Sequence, residues 1–289
     1  MLIMDKCVKI LIACHKPSPI PKAEALFPVQ VGMKGADIQM GIQGDDEGEN
    51  ISDKNYCYCE LTALYWAWKN LKDVDVIGLC HYRRYFDFHD QCIRFLPDTS
   101  FPVSAIRELD FSLDETTLKK VIGGGVVVPK ALFGNCTMEQ LYCMGHISED
   151  YKTLRKVFFD TQSDNYKKAF DELMVRGYKF YAYNMMVMRW ADFDAYCEWL
   201  FSLLFEVEQQ VDISRYSAYQ KRIFGFMSER LLNVWLFAEK KQCIERPVIF
   251  IDENCEQRFP RRCAFRQMMK GINVAWHCRM ANWHYRKTL

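Results

Sequence analysis

Apolar residues fall along this chain in short runs separated by polar, turn-forming stretches, and the runs alternate between two periods. Lys9-Ile-Leu-Ile-Ala-Cys14 is continuous, strand-length and stops at His15-Lys16-Pro17, which predicts a buried strand followed by a loop. Pro17, Pro19 and Pro21 remove amide donors and restrict their neighbours, so residues 17–28 are predicted to be loop. Residues 41–55 gather Gly, Asp, Asn and Ser into a second loop, with Ser52 placed to cap the next helix. From Asn55 to Leu71 the period changes, because Leu61, Leu64, Tyr65, Trp68 and Leu71 recur at helical spacing. Val74 to Cys80 returns to strand character. Val121 to Pro129 reads as another buried strand, whose three glycines permit close backbone approach, and Tyr178 to Met188 as a further one. Residues 137–175 predict two or three helices. Asp192 is predicted to cap a helix reaching Glu208, a second helix runs from Tyr216 to Lys241, and Pro247 to Ile251 closes with a strand. Strands alternating with helices imply an α/β layer fold with a largely parallel sheet.

Composition narrows the class. A chain of 289 residues can bury an adequate core without staples. With 38 Lys plus Arg against 37 Asp plus Glu, no global field draws nucleic acid, and none is expected as a partner. The 13 cysteines are odd in number, form no CxxC pair and often lie in apolar runs, which argues for small hydrophobic filler in a reducing cytoplasm over disulfides or zinc. No apolar run reaches the roughly 20 residues of a membrane-spanning helix. The exception to the charge balance is the C-terminus. From Gln257 to Leu289 there is no Asp or Glu, while eight Arg and Lys alternate with Phe259, Phe265, Trp276, Trp283 and Tyr285. Residues 246–289 therefore read as a basic, aromatic extension of a domain spanning 1–245. The extension packs on that domain or touches the inner face of the plasma membrane as a peripheral contact.

In open α/β sheets, ligands bind beyond the carboxyl ends of strands. There the chain carries His15 and Lys16, then His81-Tyr82-Arg83-Arg84, then Lys130. Guanidinium forks match phosphate oxygens, so this edge suits an anion, with a nucleotide diphosphate fitting best. The bland alternative is a surface ion pair between the arginines and Asp87 or Asp90. No GxxxxGK[ST], GxGxxG or GxSxG motif competes for the assignment.

Those residues carry a resemblance. Cys80-His-Tyr-Arg-Arg-Tyr-Phe86 resembles the CHYRRYF signature of a bacterial glycosyltransferase family of capsule and exopolysaccharide gene clusters, formerly a domain of unknown function. Cys14-His-Lys-Pro17, Gly44-Asp-Asp46, Gly48-Glu-Asn-Ile-Ser52, Asn55 to Thr62, Tyr65 to Asn70, Tyr183-Asn-Met185, Glu198-Trp-Leu-Phe201 and Phe226 to Leu231 match in the same order, over about residues 7–240. The resemblance implies a GT-A-like, Rossmann-related α/β fold with a helical C-terminal part. It implies transfer of a hexose, with a lean to galactofuranose, from a UDP-sugar to a glycan or lipid-linked oligosaccharide acceptor with inversion, in surface polysaccharide biosynthesis.

Many GT-A enzymes end a strand in Asp-x-Asp, which holds Mn2+ or Mg2+ against the diphosphate. Here that strand end is His81-Tyr82-Arg83-Arg84. Arg83 and Arg84, helped by His15 or Lys16, are therefore expected to neutralise the leaving UDP, with a metal at Asp45 or Asp46 as the alternative. Asn50, Lys54, Asn55, His81 and Tyr82 complete the expected donor site. Glu229 is the expected general base, with Asp45, Asp46 and Glu60 behind it, and Asn184, Trp66 and Glu60 are expected on the acceptor side. Aromatics at helical spacing, Trp66 among them, read equally as core. The rival from another class is a non-catalytic nucleotide- or glycan-binding module of a capsule assembly complex.

Overall fold

The apolar runs Lys9–Cys14 and Val74–Cys80 form the spine of the sheet. In the computed structural model, which describes residues 6–94, 96–134 and 136–255, β1 (Val8–Cys14) lies parallel to β2 (Leu26–Gln30) and to the strand of residues 76–81. The strands continue with β3 (Gln43–Gly44), β4 (Val76–His81), β5 (Arg84–Phe86), β6 (Asp98–Phe101), β7 (Val126–Pro129), β8 (Leu132–Phe133), β9 (Lys179–Phe180), β10 (Met186–Arg189), β11 (Cys243–Arg246) and β12 (Val248–Ile251). Ten of them form one sheet in the order β11-β7-β10-β4-β1-β2-β3, with β5, β12 and β6 branching from β4. β10 runs antiparallel to both β4 and β7, and the rest of the main path is parallel. Gly78 is what lets β10 in, because a Cβ there would stand 2.7 Å from the Met186 carbonyl.

Side chains alternate across β1 and so build two cores. Leu11 and Ala13 face a layer made of α1 (Asn55–Tyr58), α2 (Leu61–Asn70) and five further helices. Ile10, Ile12 and Cys14 face β5, β12 and α3 (Glu115–Ile122). The first layer is completed by α4 (Met138–Gly145), α5 (Ser148–Thr161), α6 (Asp164–Phe170), α7 (Trp190–Glu208) and α8 (Ile223–Ala238). The layer order and connectivity are those of a GT-A-like α/β fold.

Several expected elements change at their ends. Leu26–Gln30 is a strand, although residues 17–28 were predicted as loop; its partner β1 supplies the pairing that Pro28 weakens locally. The expected helix of residues 55–71 breaks at Cys59, whose φ is 52°. Ser52 does not cap it, since its hydroxyl turns to Asp45 instead. Val121 and Ile122 close α3, whose start is capped by Asp114, so only Val126–Pro129 is strand. The segment 178–188 divides into β9 and β10 around a turn at residues 181–185. α7 begins after Arg189, and Asp192 inside its first turn binds Arg189 and Lys241 (2.8 Å). β12 lies past the expected boundary at residue 245 yet pairs with β5 and β6, so the sheet does not end there. The basic aromatic tail from residue 256 onward lies outside the described residues. The eleven cysteines among the described residues are free thiols, and burial pushes those of Cys14 and Cys80 up to about 12. No helix among the described residues is long and apolar enough to cross a membrane.

Candidate active site

Because β1 and β4 are parallel and in register, with Ala13 opposite His81, the residues after them emerge side by side. The His15 ring meets Tyr82 edge-on at 4.8 Å. The Lys16 ammonium and the Arg83 guanidinium lie 5.8 and 4.9 Å from the centre of the same ring. Arg84, one residue on, turns the other way over Tyr183 (4.9 Å) and Phe250 (5.3 Å). Among the described residues neither arginine has an acidic partner within ion-pair distance. Asp87, the surface partner weighed for them, instead accepts the backbone N–H groups of Cys92 (2.6 Å) and His89 (3.0 Å). Lys130 does not join this group; its ammonium donates to the Arg94 carbonyl at 2.7 Å.

A third arginine arrives from the far side of the sequence. Arg222 ends the turn before α8, and its Nε donates to the Cys59 thiol at 3.3 Å. Burial holds the His15 imidazole below its usual 6.5, and the charges of Lys16, Arg83, Arg222 and His81 push it the same way. His15 is thus neutral at pH 7, and the positive charge of this edge comes from Arg83, Arg222 and Lys16, the last of which also faces Glu253 at 3.4 Å. Nothing in the local sequence marks Arg222, whose neighbours form an ordinary helix start.

Behind the cations sits a buried polar network. His81 is also held below 6.5, first by burial; because a carbonyl can only accept, its Nε2 carries a proton and donates it to the Tyr183 carbonyl at 2.6 Å. Asn184 is buried, and its amide donates to Glu60 Oε1 (2.7 Å), Ser228 Oγ (2.8 Å) and the Gly225 carbonyl (3.1 Å). Its Oδ1 is buried without a partner among the described residues. Tyr183 and Asn184 both occupy positive φ, at 76° and 54°, as does Cys59 beside Glu60. Backbone of this kind is strained by about 1–3 kcal/mol per residue and persists where its surroundings over-determine it. Here the surroundings are specific: Glu229 Oε1 accepts the Tyr183 N–H at 2.6 Å, His81 holds the Tyr183 carbonyl, and three groups hold the Asn184 amide.

The two candidate bases differ in what occupies them. Glu229 uses Oε1 for Tyr183 and Oε2 for Arg230. Glu60 uses Oε1 for Asn184, and its second oxygen has no hydrogen-bond partner among the described residues. Glu60 is partly exposed beside Cys59 and Arg222, at the mouth of the cationic edge.

The loop candidates are engaged in contacts that hold the fold. Asp45 is fully buried and accepts the Gly32 N–H (2.9 Å), the Met33 N–H (3.0 Å) and the Ser52 hydroxyl. Asp46 is exposed, and Asn50 bridges the carbonyls of Asp46 and Gly48, both at 2.8 Å. Lys54 pairs with Glu208 at 2.7 Å, and Asn55 donates to the Cys59 carbonyl at 2.7 Å. Trp66 is core, stacked on Phe27. Both oxygens of the Asp45 carboxylate are already engaged by the fold, and no group of three or more His, Cys, Asp or Glu among the described residues is arranged to hold a metal ion. The donor set at Asp45 and Asp46 therefore does not fit a divalent ion.

Comparison with known proteins agrees with this architecture. A family model described as a domain of unknown function, DUF4422, matches residues 9–241. No curated protein matches the chain. Among solved structures the chain is similar to an apo structure of the WbbM bifunctional glycosyltransferase, at 30% identity and a TM-score of 0.77. The likeness covers 86% of this chain but 46% of the other, so the chain spans about half the length of that protein.

Proposed function

The chain belongs to the DUF4422 family, and from that premise we propose that it is an inverting glycosyltransferase using a UDP-sugar, with galactofuranose the favoured donor sugar. In this reading it works in surface polysaccharide biosynthesis, on a glycan or lipid-linked oligosaccharide acceptor. The observation that carries the reading is the convergence of Lys16, Arg83 and Arg222 at the carboxyl ends of β1 and β4 beside Glu60, with no carboxylate partner for the two arginines among the described residues. The likeness to a bifunctional glycosyltransferase supports the same class of chemistry.

The mechanism follows from charge. As the bond between the anomeric carbon and the β-phosphate oxygen breaks, its electron pair leaves with UDP, and negative charge grows on the diphosphate. Fixed cations at that place favour the transition state over the ground state, so Arg83, Lys16 and Arg222 raise the rate as well as affinity, while Arg84, turned over Tyr183 and Phe250, supports the site from behind. On the opposite side the acceptor hydroxyl oxygen bonds to the anomeric carbon and its proton passes to a carboxylate. We assign that role to Glu60 over Glu229, because Glu60 alone of the two keeps an oxygen without a partner among the described residues. Glu229, His81 and Asn184 hold the strained turn that carries the site. No step in this scheme runs through a metal.

The test is donor hydrolysis and transfer screened across UDP-sugars, including the furanose form, with EDTA and Mn2+ arms, beside calorimetry with UDP. UDP binding with turnover of one donor is the expected result. Absence of UDP affinity in every arm overturns the reading, and UDP binding without any turnover replaces it with the non-catalytic module.

A further inference from the structure

An aromatic cluster lines the rim of the site. Tyr219, on the segment leading to Arg222, is 53% exposed. Its ring joins a stack of aromatic side chains: 5.2 Å from Phe226 and 6.0 Å from His146, with His146 lying 3.9 Å from Phe226 at an angle of 23°. We propose that Tyr219, Phe226 and His146 form an aromatic platform that binds a saccharide ring of the acceptor, next to the cationic edge. The word acceptor rests on the glycosyltransferase reading; the platform itself rests on this geometry.

Three observations carry it. First, the platform is continuous with the site through one side chain: the Arg222 guanidinium lies 5.4 Å from the Phe226 ring centre while its Nε donates to the Cys59 thiol, one residue from Glu60. A ring resting on the stack is then within one side chain of the assigned base and has guanidinium donors for its hydroxyls.

Second, the stack is uncharged and apolar on its faces. Burial, then Arg230, lowers the His146 imidazole to about 4, so it is neutral at pH 7. Aromatic faces carry partial negative charge and attract the polarised C–H groups on one face of a sugar, while its hydroxyls remain free for solvent and for Arg222.

Third, the platform is held in place. The Tyr216 hydroxyl donates to buried Asp150 at 2.8 Å, Gln220 donates to the Gly145 carbonyl at 3.3 Å, and Tyr142 backs His146 at 4.9 Å. A preorganised surface loses little freedom on binding. Simple packing does not require Tyr219 at its exposed position, since His146 and Phe226 already stack on one another beneath it.

The test measures binding of methyl glycosides (galactopyranoside, galactofuranoside, glucopyranoside, mannopyranoside) by saturation-transfer NMR to wild type, Tyr219→Ala, Tyr219→Gln, Tyr219→Trp and Phe237→Ala. Phe237, 52% exposed near the other end of α8, controls for an exposed aromatic as such. At least one glycoside is expected to bind wild type, with roughly tenfold weaker affinity in the Ala and Gln variants. Tyr219→Trp and Phe237→Ala are expected to stay within about threefold of wild type. Wild-type affinity retained by Tyr219→Ala and Tyr219→Gln, or no glycoside bound by wild type, overturns the platform. UDP calorimetry on wild type runs in parallel: loss of the saccharide result with UDP bound removes the platform alone, whereas absent UDP binding removes the glycosyltransferase reading and leaves the platform judged by its own data.

Discussion

Two polar regions of this protein differ in what they do with their charges. The loop from Gly44 to Asn55 is rich in Asp, Asn and Ser, and the strand ends around His15 and His81 to Arg84 are rich in cations. In the loop, the buried groups are matched inside the chain: Asp45 takes three donors, Asn50 closes its own turn, and Lys54 faces Glu208. At the strand ends Arg83 and Arg84 face aromatic rings with no acidic partner among the described residues, and a buried Asn184 oxygen has none either. A saturated polar region supports the fold, whereas charge left over after folding is free to act on a ligand.

That contrast breaks most sharply at Glu60. Glu60→Gln is expected to lower the transfer rate by roughly 10²- to 10⁴-fold with UDP affinity nearly retained. Glu229→Gln, which keeps an acceptor for the Tyr183 N–H, should lower it by less than about tenfold; steady-state kinetics on both variants would exchange the two roles if the order reversed. Next comes Arg83→Ala, expected to reduce kcat about 10- to 1000-fold, since a cation facing the leaving group acts most in the transition state. A change in donor KM alone would reduce Arg83 to a ground-state contact.

On the other side of the comparison, Asp45→Ala leaves three donors without their acceptor. Chemical denaturation should show a loss of about 2–4 kcal/mol, with UDP affinity of the folded fraction unchanged. Altered UDP affinity in a stable Asp45→Ala protein would move the donor site into the loop.

The smallest effect concerns His146. Its imidazole titrates at about 4 in the folded chain against 6.5 when free, because burial penalises its charge. The unfolded chain binds the proton first, so the neutral ring's contribution is fully present above 6.5 and lost as pH falls toward 4. Melting temperature measured from pH 7 to 4 should therefore fall more steeply for wild type than for His146→Gln. Parallel slopes would show that the stack does not exclude the charged ring.

Much of this was legible in the chain. The run Lys9–Cys14, the helical spacing of Leu61, Leu64 and Trp68, and the cations following each strand predict an α/β sheet with an anion site at its carboxyl edge. The misreadings have a common origin. Val121 and Ile122 satisfy a strand pattern and a helix pattern equally, and only the Asp114 cap and the approach of Ile244 on Gly125 decide between them. Residues 178–188 read as one strand, but the positive φ of Tyr183 and Asn184 that divides it depends on Glu60, His81 and Glu229, each distant in sequence.

The sequence by itself determined the periodicity of the elements, the reduced character of the cysteines among the described residues and the placement of Arg83 and Arg84 at a strand end, because these depend on spacing and on neighbours along the chain. Only the tertiary structure decided which polar groups remain without partners. It engaged both oxygens of Asp45 and of Glu229, left one oxygen of Glu60 without a hydrogen-bond partner among the described residues, and brought Arg222 to Cys59 across 163 positions. Whether a charge is used up or left available is a property of what folding packs around it, and residue order does not contain that directly.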